Sequence, residues 1–215
     1  MILVIVGLCF YGCDKLVQIQ FSNNSELHLI GQRAFSGAKS IKSISLPASV
    51  ICIDDFAFLG CEKLEKIDIP ENSEVRSIGE KAFSNTILNK LVIPSKSNEL
   101  KAGWCCELPE NIDIIISQNN YEFIWCNNIY ILGKSDGYDE LNAILYARGR
   151  IGQTEIPRFV KRIEKYSFSS CKNLRSVDFL ENSNLKFIGD CAFPLHLNGL
   201  IRIPQNVNFS DIYYF

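Results

Sequence analysis

Apolar positions recur along the chain in a fixed phrase. IGQRAFSGA from Ile30 returns as IGEKAFSNT from Ile78 and IGDCAFPLH from Ile188, with looser copies IDDFAFLGC from Ile53 and IEKYSFSSC from Ile163. The phenylalanines of these copies are Phe35, Phe58, Phe83, Phe168 and Phe193, and Phe10 in VGLCFYGC joins them; neighbouring copies are 23 to 25 residues apart. A period near two dozen residues belongs to a solenoid. After each phenylalanine comes a second block, in which Leu64, Ile67 and Ile69 match Ile41, Ile44 and Leu46, then Leu174, Val177 and Phe179. The last two of each trio alternate inward, outward, inward, which predicts a short half-buried strand. Pro47, Pro70, Pro94, Pro157 and Pro204 end these strands, because proline cannot donate to a continuing ladder. The chain then passes Val50, Val75, Val160 or Leu185 and enters the next turn.

One such unit cannot bury its Leu, Ile and Phe positions alone. Stacked coils bury them as continuous columns, with equivalent strands paired in parallel. The phrase Ile-Gly-x-x-Ala-Phe-x-x-Cys-x-x-Leu-x-x-Ile-x-Ile-Pro resembles the BspA-like leucine-rich repeats of bacterial and protist surface proteins. FSNNSELHLIGQRAF, IPENSEVRSIGEKAF and FLENSNLKFIGDCAF are similar to the protist-type branch. The resemblance covers residues 6–94 and 154–204. It implies a leucine-rich-repeat solenoid of short parallel β-strands, turns and short helical segments.

The middle departs from the phrase. Trp104 stands near the place of a repeat phenylalanine, and Ile112 and Ile114, eight and ten residues on, match Leu91 and Ile93 after Phe83. One degenerate coil is therefore expected through Ile116. Ile129–Leu132 and Ala143–Tyr146 then flank the turn-rich KSDGYDE and predict a β-hairpin, read first as a brace between coils and second as a protruding contact. The expected layout is a single solenoid over 1–215, with N-terminal coils at 1–116, a hairpin insert at 117–153 and C-terminal coils at 154–215. Val6 and Gly7 align with Ile30 and Gly31, so the chain begins within a coil; it ends shortly after the strand at Ile201 without a polar cap. Exposed end coils are a liability. A longer array, association through the ends, or marginal capping is expected to follow.

Net charge is −2 from 22 basic and 24 acidic residues, which gives no electrostatic footprint for nucleic acid. Hydrophobic residues make up 47%, enough for a core. The nine cysteines contain no CxxC pair, and Cys105 and Cys106 are adjacent, so no zinc spacing is present. Cys13, Cys61 and Cys171 each lie three residues after a repeat phenylalanine, where Ala38 stands in another copy; that equivalence predicts small buried fillers rather than bridges. The run MILVIVGLCF lacks a basic flank and a cleavage site, and reads as part of a coil rather than a signal peptide. No apolar run reaches the length of a membrane-spanning helix.

Candidate chemistry is sparse. His28 falls in the column of Arg76 and Lys186, and His196 three residues after Phe193; neither is given a nucleophile or carboxylate by the repeat. Glu71, Glu74 and Glu181 are scattered in turns, and GKSDG lacks phosphate-loop spacing. No cofactor, metal or small-molecule substrate is expected. The candidate binding surface is the outward residue of each strand: Gln20, Ser45, Asp68, Val92, Asp113, Glu155, Asp178 and Arg202. Parallel stacking brings such residues about 4.8 Å apart on one face, and solenoids bind partners on such faces. Two glycosylation sequons, Asn23-Asn24-Ser25 and Asn208-Phe209-Ser210, matter only on a secretory route. The expectation is a non-catalytic protein-binding module. By resemblance it is a cell-surface antigen or adhesin that contacts host or matrix proteins or another surface protein, with end-to-end self-association as a further possibility. The alternative is a cytoplasmic interaction scaffold, suggested by the free-looking thiols and the missing leader.

Overall fold

The computed structural model describes residues 3–22, 24–134, 139–197, 199–205 and 207–209. The chain divides into two compact units, Met1–Tyr121 and Glu122–Phe215. In the first, the strands in chain order are β1 (Leu3–Ile5), β2 (Leu27–Ile30), β3 (Ser43–Ser45), β4 (Cys52–Ile53), β5 (Lys66–Asp68), β6 (Ser77–Ile78), β7 (Lys90–Ile93), β8 (Glu99–Leu100) and β9 (Asp113–Ile116). Each turn of the solenoid contributes to two parallel sheets, ordered β1-β2-β4-β6-β8 and β3-β5-β7-β9. Ile30, Ile53, Ile78 and Leu100 form one buried column and Ile44, Ile67, Leu91 and Ile114 another. Each such side chain contributes about 1.5–3 kcal/mol on leaving water.

The repeat phenylalanines make a third column. The rings of Phe10, Phe35, Phe58 and Phe83 stack at centroid spacings of 5.1, 5.2 and 5.6 Å, within 8° of parallel. Strand pairing fixes the rise per coil near 4.8 Å, and the rings take that spacing. The turn holding each ring is sewn to the next coil by N–H groups at alternate residues. Arg33, Phe35 and Gly37 donate to the carbonyls of Asp55, Ala57 and Leu59, and Phe56, Phe58 and Gly60 to those of Glu80, Ala82 and Ser84. To aim these donors, the residue two before each ring takes a left-handed conformation: Arg33, Phe56 and Lys81 have φ of 55°, 60° and 50°. That conformation costs roughly 1 kcal/mol per residue and is offset by the bond each N–H makes.

The glycine of the phrase has a different reason. A Cβ on Gly79 would lie 2.4 Å from Asp55 N, and one on Gly31 would lie 2.7 Å from Ile5 O, so neighbouring backbones leave no space for a side chain. The coil before Gly79 bears Asp54 and Asp55. Lys101 ties this region together: its Nζ lies 2.9 Å from Asp55 Oδ1 and 3.3 Å from Asp54 Oδ1, while Asp55 Oδ1 also accepts Glu80 N–H at 2.8 Å. The hydrogen bond to Asp55 holds Lys101 above the ordinary lysine pKa.

In the second unit the strands are β10 (Ile124–Cys126), β11 (Tyr130–Lys134), β12 (Leu141–Ala147), β13 (Gln153–Ile156), β14 (Arg162–Ile163), β15 (Ser176–Phe179), β16 (Phe187–Ile188) and β17 (Asn208–Phe209). One sheet runs β10-β11-β12-β14-β16-β17; the other pairs β13 with β15. The predicted hairpin is present as β11 and β12, and β10 extends it to an antiparallel three-stranded meander. Residues 135–138 of its turn lie outside the described residues. Strand β12 then pairs in parallel with β14, so the insert is continuous with the coils of its unit. Tyr130 takes the ring position, edge-on to Phe168 at 6.0 Å, and Phe168 packs on Phe193 at 4.9 Å. Burial pushes the Tyr130 hydroxyl up to about 12. The only helical segment among the described residues is a 3-10 turn at Leu195–Leu197.

Four alignments made from sequence shift in the structure. Ile5, not Val6, pairs with Ile30. In the degenerate coil the turn bonds Trp104 N to Lys101 O and Leu108 N to Cys105 O repeat Ala34 N to Gly31 O and Ala38 N to Phe35 O. Cys105 therefore holds the ring position and Trp104 the alanine position, both buried; large and small have exchanged places. Ile114 and Ile116, not Ile112 and Ile114, pair with Leu91 and Ile93. Finally, Leu197 is buried while His196 is exposed, because the 3-10 turn rotates the histidine outward.

Candidate functional site

The outward side of β3, β5, β7 and β9 is the accessible face that the repeat builds in the first unit. Register places Ser45, Asp68, Val92 and Ile115 in one outward row and Ser43, Lys66, Lys90 and Asp113 in the next. Ser45 and Asp68 are neighbours as expected, and the Ser45 hydroxyl donates to Asp68 Oδ2 at 3.1 Å. Lys66 Nζ lies 2.9 Å from the same oxygen. Asp113 is moved by the register shift into the row of Lys90, and Ile115 takes the place expected for it. The row so becomes apolar at Val92 and Ile115 rather than acidic, and the lysines beside it balance its charge. Gln20 is exposed but lies in no strand.

In the second unit, Glu155 and Asp178 are exposed and directly in register on β13 and β15. Like charges side by side on one sheet face repel. Arg202 is exposed outside any strand and lines, with Glu181, Asn182 and Ser183, an open depression of about 700 Å³.

Sequence reasoning missed an aromatic site in this unit. The Trp125 ring meets Tyr146 edge-on at 6.1 Å, and the Arg148 guanidinium lies 4.6 Å over the Trp125 ring while donating to Asn128 Oδ1 at 2.9 Å. None of these residues belongs to the repeat phrase, and the antiparallel pairing of the meander brings them together.

The remaining candidates are placed as follows. His28 lies in β2, with Nδ1 buried and without a partner among the described residues; His196 Nε2 is 2.6 Å from the Leu174 carbonyl. All nine cysteines are free thiols. Cys61 and Cys171 are buried fillers whose thiols face the carbonyls of Phe35 and Arg148 at 3.1 and 3.4 Å, whereas Cys13 is exposed, contrary to expectation, because its coil has no earlier coil over it among the described residues. Burial pushes the Cys61 thiol up to about 12. Among the described residues no group of three His, Cys, Asp or Glu side chains is placed to hold a metal ion. No helix among them is long and apolar enough to cross a membrane. Asn24 and Asn208 are exposed, but Asn23 and Ser210 of the two sequons lie outside the described residues.

Parallel coils of this period, with stacked rings and an outward strand face, define a leucine-rich-repeat solenoid. The BspA type leucine-rich repeat region matches residues 2–104 and 104–215 in six copies, and the chain belongs to that family. By structure it is similar to the pneumococcal vaccine antigen PcpA, at 23% identity and a TM-score of 0.68 over 87% of this chain and 45% of that one. A leucine-rich cell surface protein of Faecalibacterium prausnitzii gives 23% and 0.68 over 85% and 49%. A leucine-rich repeat protein of Eubacterium ventriosum gives 24% and 0.64 over 86% and 54%. The chain thus spans about half the length of these solved proteins. No curated protein matches it by sequence.

Proposed function

We propose that the chain is a non-catalytic protein-binding segment of a cell-surface protein, an antigen or adhesin that contacts host or matrix proteins or another surface protein. The observation that carries the reading is the register of Glu155 beside Asp178, two exposed carboxylates held side by side on one sheet face, where a cationic partner would find two acceptors at strand spacing. A basic partner segment laid along β13 and β15 fits that need; Ser45, Asp68 and Asp113 on the strand face of the first unit, and Gln20 and Arg202 outside the strands, are separate candidate contacts. Surface location is supported by the fold shared with a cell-surface protein and a vaccine antigen. No cofactor and no small-molecule substrate enters this reading. The reading includes N-terminal coils at 1–116, an insert at 117–153 and C-terminal coils at 154–215, with the insert acting as a brace, a role that the pairing of β12 with β14 supports.

Changing Asp68 and Asp178 together to Lys is expected to abolish capture of the partner from a matrix or cell-surface extract. Unchanged capture overturns the strand-face assignment. A second reading, an intracellular interaction scaffold, is favoured by the nine free thiols. Antibody labelling of intact against permeabilised cells separates the two: signal only after permeabilisation overturns the surface reading.

A further inference from the structure

In the Glu122–Phe215 unit one repeat strand is written in the sequence but not formed. Residues 201–204 carry the phrase IRIP, matching IDIP at 67–70 and LVIP at 91–94. Ile201 and Ile203 are half-buried against the core of the unit and Arg202 is exposed, the alternation of a repeat strand. Yet the segment forms no strand, and β15 has β13 as its one sheet neighbour among the described residues. No hydrogen bond joins β15 to residues 201–204 among them. The next coil is nevertheless in place beyond this edge, since β17 pairs with β16 in the other sheet of the unit.

The cause lies in the turn that precedes the segment. In the first unit the Leu64 carbonyl accepts Ile87 N–H, which draws the backbone of the following coil onto it. At the equivalent place the Leu174 carbonyl accepts from His196 Nε2 at 2.6 Å, while Leu197, which matches Ile87, donates its N–H to Pro194. A side chain reaches across where a backbone did, and this leaves room between the coils. The loops after the strands also part. In the first unit Ser49 Oγ donates to the Ser25 and Leu27 carbonyls, and Ser97 Oγ to that of Val75. Val207 stands in the place of Ser97 and has no hydroxyl to donate. The result is the open depression of about 700 Å³ between residues 179–183 and Arg202, Pro204 and Gln205 of the next coil.

We propose, resting on the strand-face reading above, that β15 takes an extended basic segment of the partner protein as an added strand in this gap. Its backbone supplies the pairing that residues 201–204 do not make. The chemistry of the occupant follows from the walls. Glu155 and Asp178 are exposed in one outward row, and Glu181 is exposed on the rim. The residue that the repeat phrase sets next in that row is Arg202, yet no ion pair joins it to Asp178 among the described residues. A strand with apolar, basic and apolar side chains in succession places its cation beside Asp178, where opposite charges attract. Alternation turns the apolar neighbours inward.

The test is fluorescence anisotropy of a labelled, blocked octapeptide with Val-Lys-Val at its centre, titrated with the whole chain. Beside it stand the Val-Glu-Val peptide and a Val-Lys-Val peptide N-methylated at those three residues. The lysine peptide is expected to bind about fivefold tighter than the glutamate peptide. Methylation removes the backbone donors and is expected to weaken binding by at least about tenfold. In Asp178→Lys the preference between lysine and glutamate inverts. Asp178 is exposed, so urea unfolding of the variant is expected to match the parent; if it does not, Glu181→Lys on the rim reads the same loss of preference. No binding of any peptide, equal binding of the lysine and glutamate peptides, or a methylated peptide that binds like its parent each overturns the proposal. A methylated peptide that binds undiminished and keeps the charge preference removes the added strand and leaves the strand-face reading standing. Unchanged capture by the Asp68 and Asp178 variant removes that reading itself, so the two failures are distinct.

Discussion

Phe58 is an inner ring of the stack, fully buried, with Phe35 at 5.2 Å on one side and Phe83 at 5.6 Å on the other. Replacing it with Ala removes a buried ring that nothing nearby can refill, since strand pairing holds the coils at their rise. The expected loss is about 4 kcal/mol for ring and cavity, with roughly 1 kcal/mol more from two stacked contacts. Phe10 is half-buried and stacks on one ring among the described residues, so the same change there is expected to cost about 2 kcal/mol. Coils touch only their neighbours, so Phe58→Ala should also uncouple the coils on either side and broaden the transition more than Phe10→Ala in the first described coil. Urea unfolding followed by circular dichroism measures both quantities in one experiment. If the two variants lose stability equally and keep the parent slope, the ring column is not what couples the coils and this reasoning fails.

Gly79→Ala should cost about 1–3 kcal/mol in a thermal melt because its Cβ meets Asp55 N at 2.4 Å. Gly152→Ala, which meets nothing closer than 3.9 Å, should stay within about 0.5 kcal/mol. Cys105→Phe is expected to destabilise by about 1–3 kcal/mol beside Trp104 and to be rescued by Trp104→Ala, which restores the repeat's Ala-Phe order; absence of rescue in the double-mutant cycle would refute the exchange of places. A thiol reagent should label Cys9 and Cys13 in the native protein and Cys61, Cys105 and Cys171 only after urea. Burial pushes the Cys61 thiol up from an ordinary 9.0 to about 12. The unfolded chain alone loses that proton between those values, so stability falls as pH rises through the window. Lys101, held above 10.5 by its bond to Asp55, adds a loss in the same direction at the alkaline end. Cys61→Ala, matching Ala38, should flatten the part of the alkaline slope that belongs to the thiol.

The solenoid was legible because its columns are written in residue type. Ile30, Ile53 and Ile78, or Phe35, Phe58 and Phe83, occupy equivalent places, and parallel pairing turns equivalence into contact. Reading failed where one residue type was a poor marker of position. Trp104 looks like the missing ring, but the turn bonds assign that place to Cys105, and counting from Trp104 with the short spacing of the Phe83 coil, where the Phe35 and Phe58 coils are one residue longer, carried Asp113 into the wrong row. The antiparallel pairing of β11 with β12 was visible from its apolar stretches, but β10 was not, since INNER-strand alternation is absent from Ile124–Cys126. The Trp125–Arg148 contact depended on that third strand and left no trace in the spacing.

The steric demand at Gly31 and Gly79 also bears on which coils of such an array can be exchanged. At that place successive coils carry Val6, Gly31, Asp54, Gly79 and Lys101, and in the other unit Glu164 then Gly189, whose Cβ would lie 2.5 Å from Lys165 N. Bare and substituted coils alternate, so each is matched to its predecessor. A coil bearing a side chain at this place cannot stand where Gly31, Gly79 or Gly189 stands without displacing the backbone of the coil before it. Exchange of one bare coil for another is therefore expected to be tolerated, and exchange of a bare coil for a substituted one to cost stability.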